Sequence, residues 1–264
     1  NIGVLNLLFW PVLLIAANEA ERLKDLKSKL YVYGLFFATF YATFLSVHKT
    51  SKVALLLACA VFVLSKLSKR AALSAMTVIW MLATLAVVPA SRIAYDNGLQ
   101  NSTALAGSAR ARIVIWNFEA QQIPEAWLFG RGIQSVIYYD QLQAPTATVV
   151  PGELSAQRNG HHSHNIYLQI WYEFGAVGAL LFPIAGLLIW RRIASMPAGS
   201  FPFAIAAFAS VTAIMAFSWG LWQHWYFAAV CMSAAALALA KSAGERTSGM
   251  RGASETPSRT ISQA

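Results

Sequence analysis

Seven continuous apolar stretches divide the chain: Ile2–Ala17, Leu30–Val47, Val53–Ser65, Ala71–Ala90, Ile166–Trp190, Phe201–Trp219 and Leu221–Ala240. Most approach the roughly 20 residues that a helix needs to cross a hydrocarbon core. None alternates polar and apolar positions as a barrel strand would. Backbone groups in lipid must pair within their own segment, so each stretch predicts a transmembrane helix. The expected fold class is therefore all-α, a polytopic helical membrane protein with about seven transmembrane helices. Residues 1–90 carry the first four, 91–165 form a large loop with short helices, and 166–240 carry the last three. The tail, 241–264, turns rich in Ser, Thr, Gly and charge after Lys241, and is expected to be disordered. No internal repeat is visible.

Composition narrows the class further. Hydrophobic residues make up 57% of the 264 positions and charged residues 12%, against about 25% charged in soluble domains. That balance excludes an ordinary soluble enzyme, a disordered chain and a secreted disulfide scaffold. Cys59 and Cys231 each sit within an apolar run and read as small core residues. The net charge of +9 would suggest nucleic acid in a soluble protein, but its distribution follows the loops, and no nucleic-acid partner is expected. Thirteen of the 20 basic residues fall in alternate connections: Arg22, Lys24, Lys27 and Lys29; Lys66, Lys69 and Arg70; Arg191 and Arg192; Lys241, Arg246, Arg251 and Arg259. The positive-inside rule places these in the cytoplasm and the long loop on the opposite face, with no span flipped. Trp190, Trp219, Trp222 and Trp225 fall where aromatic belts sit, and membrane lipids are the surrounding partner. No signal peptide is visible, and the apolar run beginning directly at Asn1 suggests a longer protein with helices upstream.

The loop 91–165 is far longer than usual connections, and such loops tend to be functional. Its first part, Ser91–Gly107, reads as polar and irregular. Ala109–Ile123 predicts a helix with Ile113, Trp116, Ala120 and Ile123 on one face, suited to lying on a membrane surface. Pro124 and Gly130-Arg131-Gly132 end it. At the far end stands His161-His162-Ser163-His164-Asn165, directly before the next apolar run. Asn165, Gln169 and Glu173 then recur every four residues and share one helix face. A polar stripe entering a membrane helix is costly unless it faces protein or water, so it marks a candidate site. Gly175 and Gly178 are expected to let a neighbouring helix approach.

Two blocks carry a family resemblance. One is Arg112-x-x-x-Trp116 followed by Leu128-Phe129-Gly130-x-Gly132. The other is His162-Ser163-His164-Asn165-x-x-Leu168-Gln169-x-x-x-Glu173-x-Gly175-x-x-Gly178. In order, spacing and position they resemble the O-antigen ligase and O-antigen polymerase superfamily of bacterial envelope glycosyltransferases, over most of residues 1–240. Asn1 looks like the asparagine that often precedes a mid-chain helix there. The resemblance implies transfer of a glycan from undecaprenyl diphosphate to an acceptor hydroxyl, on the periplasmic face of the bacterial inner membrane. The acceptor would be a lipid A-core sugar, another glycan repeat or a protein hydroxyl. No cofactor is implied.

The roles follow from chemistry. A diphosphate leaving group needs cations, and guanidinium meets phosphate oxygens in pairs. Arg112 is the first candidate, Lys52 the second and Arg131 the third. Thr50-Ser51-Lys52 departs from the Ser-Arg often found there, and lysine keeps the charge without the fork. The acceptor hydroxyl needs a base, and a neutral imidazole suits it. His164 is that candidate, oriented by Asn165 or Glu173, with His162 and Gln169 as supporting neighbours. Blander readings stand beside these: a capping His164, a headgroup-anchoring Arg112, a snorkelling Lys52 and a merely packed Glu173. The His162/His164 pair lacks further zinc ligands at suitable spacing, so no metal is expected. A transporter would need charges or broken helices at mid-bilayer; Pro183 and Gly186 share one span, yet the polar groups gather at the loop end.

Overall fold

The structure is a computed structural model that describes residues 2–138 and 162–254, with side chains up to residue 243. The expectations placed on Asn1, His161 and the tail beyond Ser254 lie outside the described residues. The regular elements described are all helical. They are α1 (Ile2–Leu23), α2 (Leu26–Leu45), α3 (Lys49–Leu67), α4 (Lys69–Leu85), α5 (Val87–Asp96), a 3-10 turn (Leu99–Asn101), α6 (Gly107–Gln122), a second 3-10 turn (Ile123–Ala126), α7 (Ile166–Ala194), α8 (Phe201–Phe217) and α9 (His224–Ser254).

Every predicted apolar run is helical, but not every one meets the length and hydropathy needed to cross a bilayer. Among the described residues α1, α3, α7 and the His224–Ala243 part of α9 do, and α4 with α5 makes a fifth if that bent pair is one span. α2 carries Lys27 and Lys29 and three tyrosines, which lower its hydropathy. α8 is apolar but has only 17 residues, or roughly 25 Å of helix. It is the centre of the bundle, packed by α1, α3, α4, α7 and α9. Its few polar groups are matched: Trp10 Nε1 donates to Ser210 Oγ at 3.2 Å, and the Tyr167 hydroxyl to the Thr212 carbonyl at 3.4 Å. A helix enclosed by protein needs no apolar stripe, and α8 shows none.

The stretch Ala71–Ala90, expected as one helix, is two. The chain bends by 68° between α4 and α5. Pro89 has no N–H for the Leu85 carbonyl, and its ring crowds that carbonyl. The Thr84 carbonyl beside the break accepts instead from Trp171 Nε1, at 2.7 Å. The region expected to be irregular after Ser91 is partly ordered, because α5 runs to Asp96 and a 3-10 turn follows. The expected loop helix is realised as α6. Val114, Asn117 and Glu119 are buried along with Ile113 and Ala120, so α6 is clasped by α5 and α7 instead of presenting a single face to lipid. At the other end, the backbone of α9 stays helical to Ser254, past the boundary expected at Ala240. Cys59 is half-buried and Cys231 exposed, so the latter is not a core residue.

α7 is broken at Gly175, whose φ of 59° and ψ of −152° lie in territory reserved for glycine. A break leaves carbonyls and amides without helical partners. The loop after α6 supplies them. Arg131 N and Gly132 N donate to the Tyr172 and Glu173 carbonyls at 2.9 and 3.0 Å. The Trp127 and Leu128 carbonyls accept from Ala176 N and Val177 N at 2.7 and 3.1 Å. The two sequence blocks are thus stitched backbone to backbone. Gly175 serves this stitch and not a helix crossing, and Gly178 faces Phe174 and Ile170 of its own helix. Close approach between helices occurs instead at Gly186, against the Trp80 ring of α4.

Candidate active site

Four chain segments converge at one end of the bundle: the N-terminus of α3, the middle of α6, the turn into α7 and the C-terminus of α8. Each positions one polar group. Asn165 caps α7, its side-chain oxygen accepting from Leu168 N at 3.2 Å, which starts the helix immediately after the histidines. His48 caps α3 in the same way, with Nδ1 accepting from Ser51 N at 3.3 Å and lying 2.6 Å from Ser51 Oγ. Ser218, just past α8, joins the two. Its hydroxyl lies 3.3 Å from His48 Nε2, and its carbonyl accepts from His164 Nδ1 at 3.0 Å.

These bonds define tautomers. A carbonyl can only accept, so His164 carries its proton on Nδ1 when neutral, which leaves the Nε2 lone pair open. His164 Nε2 has no hydrogen-bond partner among the described residues. The backbone at His164 has a φ of 54°, unusual for a side-chain-bearing residue. His162 supports that turn: its Nδ1 accepts from His164 N at 3.2 Å, and the two rings meet edge to face at 3.9 Å. Gly220 packs against His162, where a Cβ would come within 2.5 Å of the His162 Cβ.

Arg112 is half-buried and has no ion-pair or hydrogen-bond partner among the described residues. Its charge nevertheless reaches both histidines. Burial, and then the Arg112 guanidinium, hold His48 below the ordinary histidine range. His164 is also lowered, first by burial and then by Arg112, with the Ser218 carbonyl partly opposing. Burial lowers Arg112 itself, yet a guanidinium stays charged.

The other predicted residues are placed differently. Lys52 is one turn beyond His48, with Nζ 5.9 Å from the Phe44 ring. Arg131 is paired with Glu125, donates to the Gln122 carbonyl at 3.2 Å and lies over the Tyr172 ring. Gln169 and Glu173 form a buried network of their own. Gln169 donates to Glu173 at 2.8 Å, Trp222 Nε1 donates to Glu173 at 2.7 Å, and Leu221 N donates to Gln169 at 2.7 Å. Neither Asn165 nor Glu173 holds His164; the Ser218 carbonyl does. Trp222, expected in an aromatic belt, is a donor in this network.

Several participants were not evident in the sequence. His48 had one local signal, its position three residues before Ser51 at the start of an apolar run. Ser218 had none, because its backbone carbonyl is what matters. Among the described residues no group of three metal-ligating side chains occurs. As for known proteins, a family model described as O-antigen ligase matches residues 34–182, just over half of the chain and including both stitched blocks. No curated protein and no solved structure matches the chain.

Proposed function

Because this chain belongs to the O-antigen ligase family, we propose that it transfers a glycan from undecaprenyl diphosphate to an acceptor hydroxyl at the periplasmic face of the bacterial inner membrane. Membership supports a membrane enzyme of the ligase and polymerase kind. The observation that carries the finer reading is the reach of Arg112 to His164: a half-buried cation with no ion-pair partner among the described residues, whose charge is felt by an imidazole with its second nitrogen open. A cation so placed suits an anionic ligand, and phosphate oxygens match the guanidinium fork.

In this reading Arg112 holds the donor diphosphate, with Lys52 as a second cation. The acceptor hydroxyl gives its proton to His164 Nε2 while its oxygen forms the new bond to the anomeric carbon. The bond from that carbon to the diphosphate breaks, and undecaprenyl diphosphate leaves with its electron pair. The Ser218 carbonyl stabilises the imidazolium that forms, as an acceptor on Nδ1–H does. His162 supports the turn at His164, and Asn165 starts the helix that follows it. Gln169 and Glu173 anchor the 220–222 segment, and Arg131 secures the loop stitch.

The test is reconstitution of the protein with a lipid-linked glycan, offering lipid A-core, glycan repeat and protein acceptors in turn. Transfer to one of them supports the reading and names the enzyme as ligase, polymerase or protein glycosyltransferase; transfer to none sinks it. Cysteine labelling at positions 112 and 164 from outside the inner membrane tests the orientation.

A further inference from the structure

His48 and His164 meet one residue, Ser218, through opposite ring nitrogens. An amide N–H can only donate, so the bond from Ser51 N makes His48 Nδ1 an acceptor. The neutral His48 ring therefore carries its proton on Nε2, and that N–H donates to the Ser218 hydroxyl 3.3 Å away. The Ser218 carbonyl in turn accepts from His164 Nδ1 at 3.0 Å. Ser218 has left helical geometry, with a φ of −133° and a ψ of −48°, so α8 no longer sets the direction of that carbonyl. Contacts from α3 hold the segment instead. Besides His48, Thr50 Oγ1 donates to the neighbouring Phe217 carbonyl at 3.3 Å. The start of α3 is itself anchored inside the bundle: Asn6 of α1 donates to the Ser51 carbonyl at 3.0 Å and accepts from Thr43 of α2 at 3.3 Å. Asn6, Thr43, Ser51 and Ser218 are all buried.

We propose that His48 is a positioning residue for glycan transfer: its Nε2–H holds the Ser218 hydroxyl, and so aims the Ser218 carbonyl that keeps His164 in the tautomer with an open Nε2. This rests on the function proposed above. A base whose partner on the far nitrogen is misplaced turns to the wrong tautomer and loses the lone pair that takes the proton. Both nitrogens of His48 are engaged, Nδ1 by the cap of α3 and Nε2 by Ser218, so His48 acts through Ser218 and takes no proton from the acceptor. A helix cap needs Nδ1 alone. The reach of Nε2 to Ser218 is what capping leaves unexplained, and the two nitrogens can be separated by substitution. Asparagine places an oxygen near the position of Nδ1 and is among the best N-caps, but does not extend to Ser218. Glutamine is longer and places an amide donor near the position of Nε2.

The experiment has two arms on the purified protein, with His48→Asn, His48→Gln and Ser218→Ala. The first reads the ring-nitrogen NMR signals of His164 at about pH 8, where neutral imidazole predominates, assigned by their loss in His164→Ala. The wild type and His48→Gln should show the proton on Nδ1, whereas His48→Asn and Ser218→Ala should show a mixture of tautomers. Signals unmoved in both of the latter overturn the proposal. This arm needs no transfer, so it decides the positioning even where the enzymatic reading fails. The second arm is steady-state transfer with a lipid-linked glycan. His48→Asn and Ser218→Ala should each lower kcat by roughly 10- to 100-fold with donor KM unchanged, and His48→Gln should recover most of that loss. The double variant His48→Asn/Ser218→Ala should lose no more than either single one, as residues in one chain of contacts do. Recovery by asparagine and not by glutamine would reduce His48 to a helix cap, and losses that multiply would separate it from Ser218; either result overturns the proposal.

Discussion

Gly130 and Gly175 meet backbone to backbone. A Cβ on Gly175 would lie 2.6 Å from the Gly130 amide nitrogen, and one on Gly130 would lie 2.3 Å from the Glu173 carbonyl carbon. Both glycines have positive φ. The loop that follows α6 is thereby locked into the break of α7, which holds α6, with Arg112, against the turn that carries His164. Alanine at either position would collide with backbone that has no side chain to move aside. Gly130→Ala and Gly175→Ala should each lower stability by about 1–3 kcal/mol or more, read as a fall in the melting temperature of the purified protein. A melting point unchanged in both would show that the stitch is not a structural constraint.

His164→Ala should reduce transfer by roughly 10²–10⁴, the usual worth of a general base, and leave the amount of folded protein in the membrane unchanged. Arg112→Lys keeps the charge but not the fork, and should cost about tenfold or more in kcat/KM for the donor. Steady-state kinetics with a lipid-linked glycan decide both. Full activity of the first variant removes His164 as the base, and full activity of the second reduces Arg112 to a headgroup anchor.

The acid side of the pH profile follows from the electrostatics. His164 acts as a base only when neutral. Burial and Arg112 both disfavour its imidazolium form, so the acid limb of kcat/KM should lie below the ordinary histidine value of about 6.5. Replacing Arg112 with glutamine removes one of those influences and should move the limb towards higher pH in whatever activity remains. A limb that stays in place would mean that the guanidinium does not act on this imidazole.

Glu119 also couples folding to pH. Its pKa rises from an ordinary value near 4.5 to about 8 in the fold, so between those values the folded protein holds a proton that the unfolded chain has released. The associated stability is fully present below pH 4.5 and is lost as the pH rises through 8, by about 1.4 kcal/mol for each pH unit in the window. Melting curves of wild type and Glu119→Gln across this range should converge at low pH and diverge with the variant more stable at high pH. Parallel curves would place Glu119 in a wetter setting.

Trp222→Phe removes one donor from the buried Glu173 carboxylate. The expected cost is about 1–3 kcal/mol for an under-satisfied buried acceptor. Thermal unfolding measures it, and a near-neutral effect would return Trp222 to the aromatic belt in which the sequence pattern placed it.

Much of the candidate site was legible before any coordinates. His164 and Arg112 could be singled out because their motifs are short and local, and His164 proves to share the influence of Arg112. Asn165 was visible as a residue at a helix entry, and it caps α7. Glu173 was visible as part of a polar stripe with Gln169, but its donor Trp222 was not, because it comes from the far side of α8. Arg131 looked like a free cation; its engagement with Glu125 needed the turn between them to close. His48 offered only its position three residues before Ser51, which marks a helix start and says nothing of the distant Ser218 it meets.

The sequence by itself determined the helices, their apolar character and the two blocks of chemistry, since each depends on residues within a few turns of one another. Tertiary structure alone decided which loop fills the break at Gly175, and that the Ser218 carbonyl orients His164. Those outcomes depend on backbone groups, which every residue carries alike. Which carbonyl finds which amide across 40 or more residues is set by packing, and nothing in the side-chain pattern encodes it.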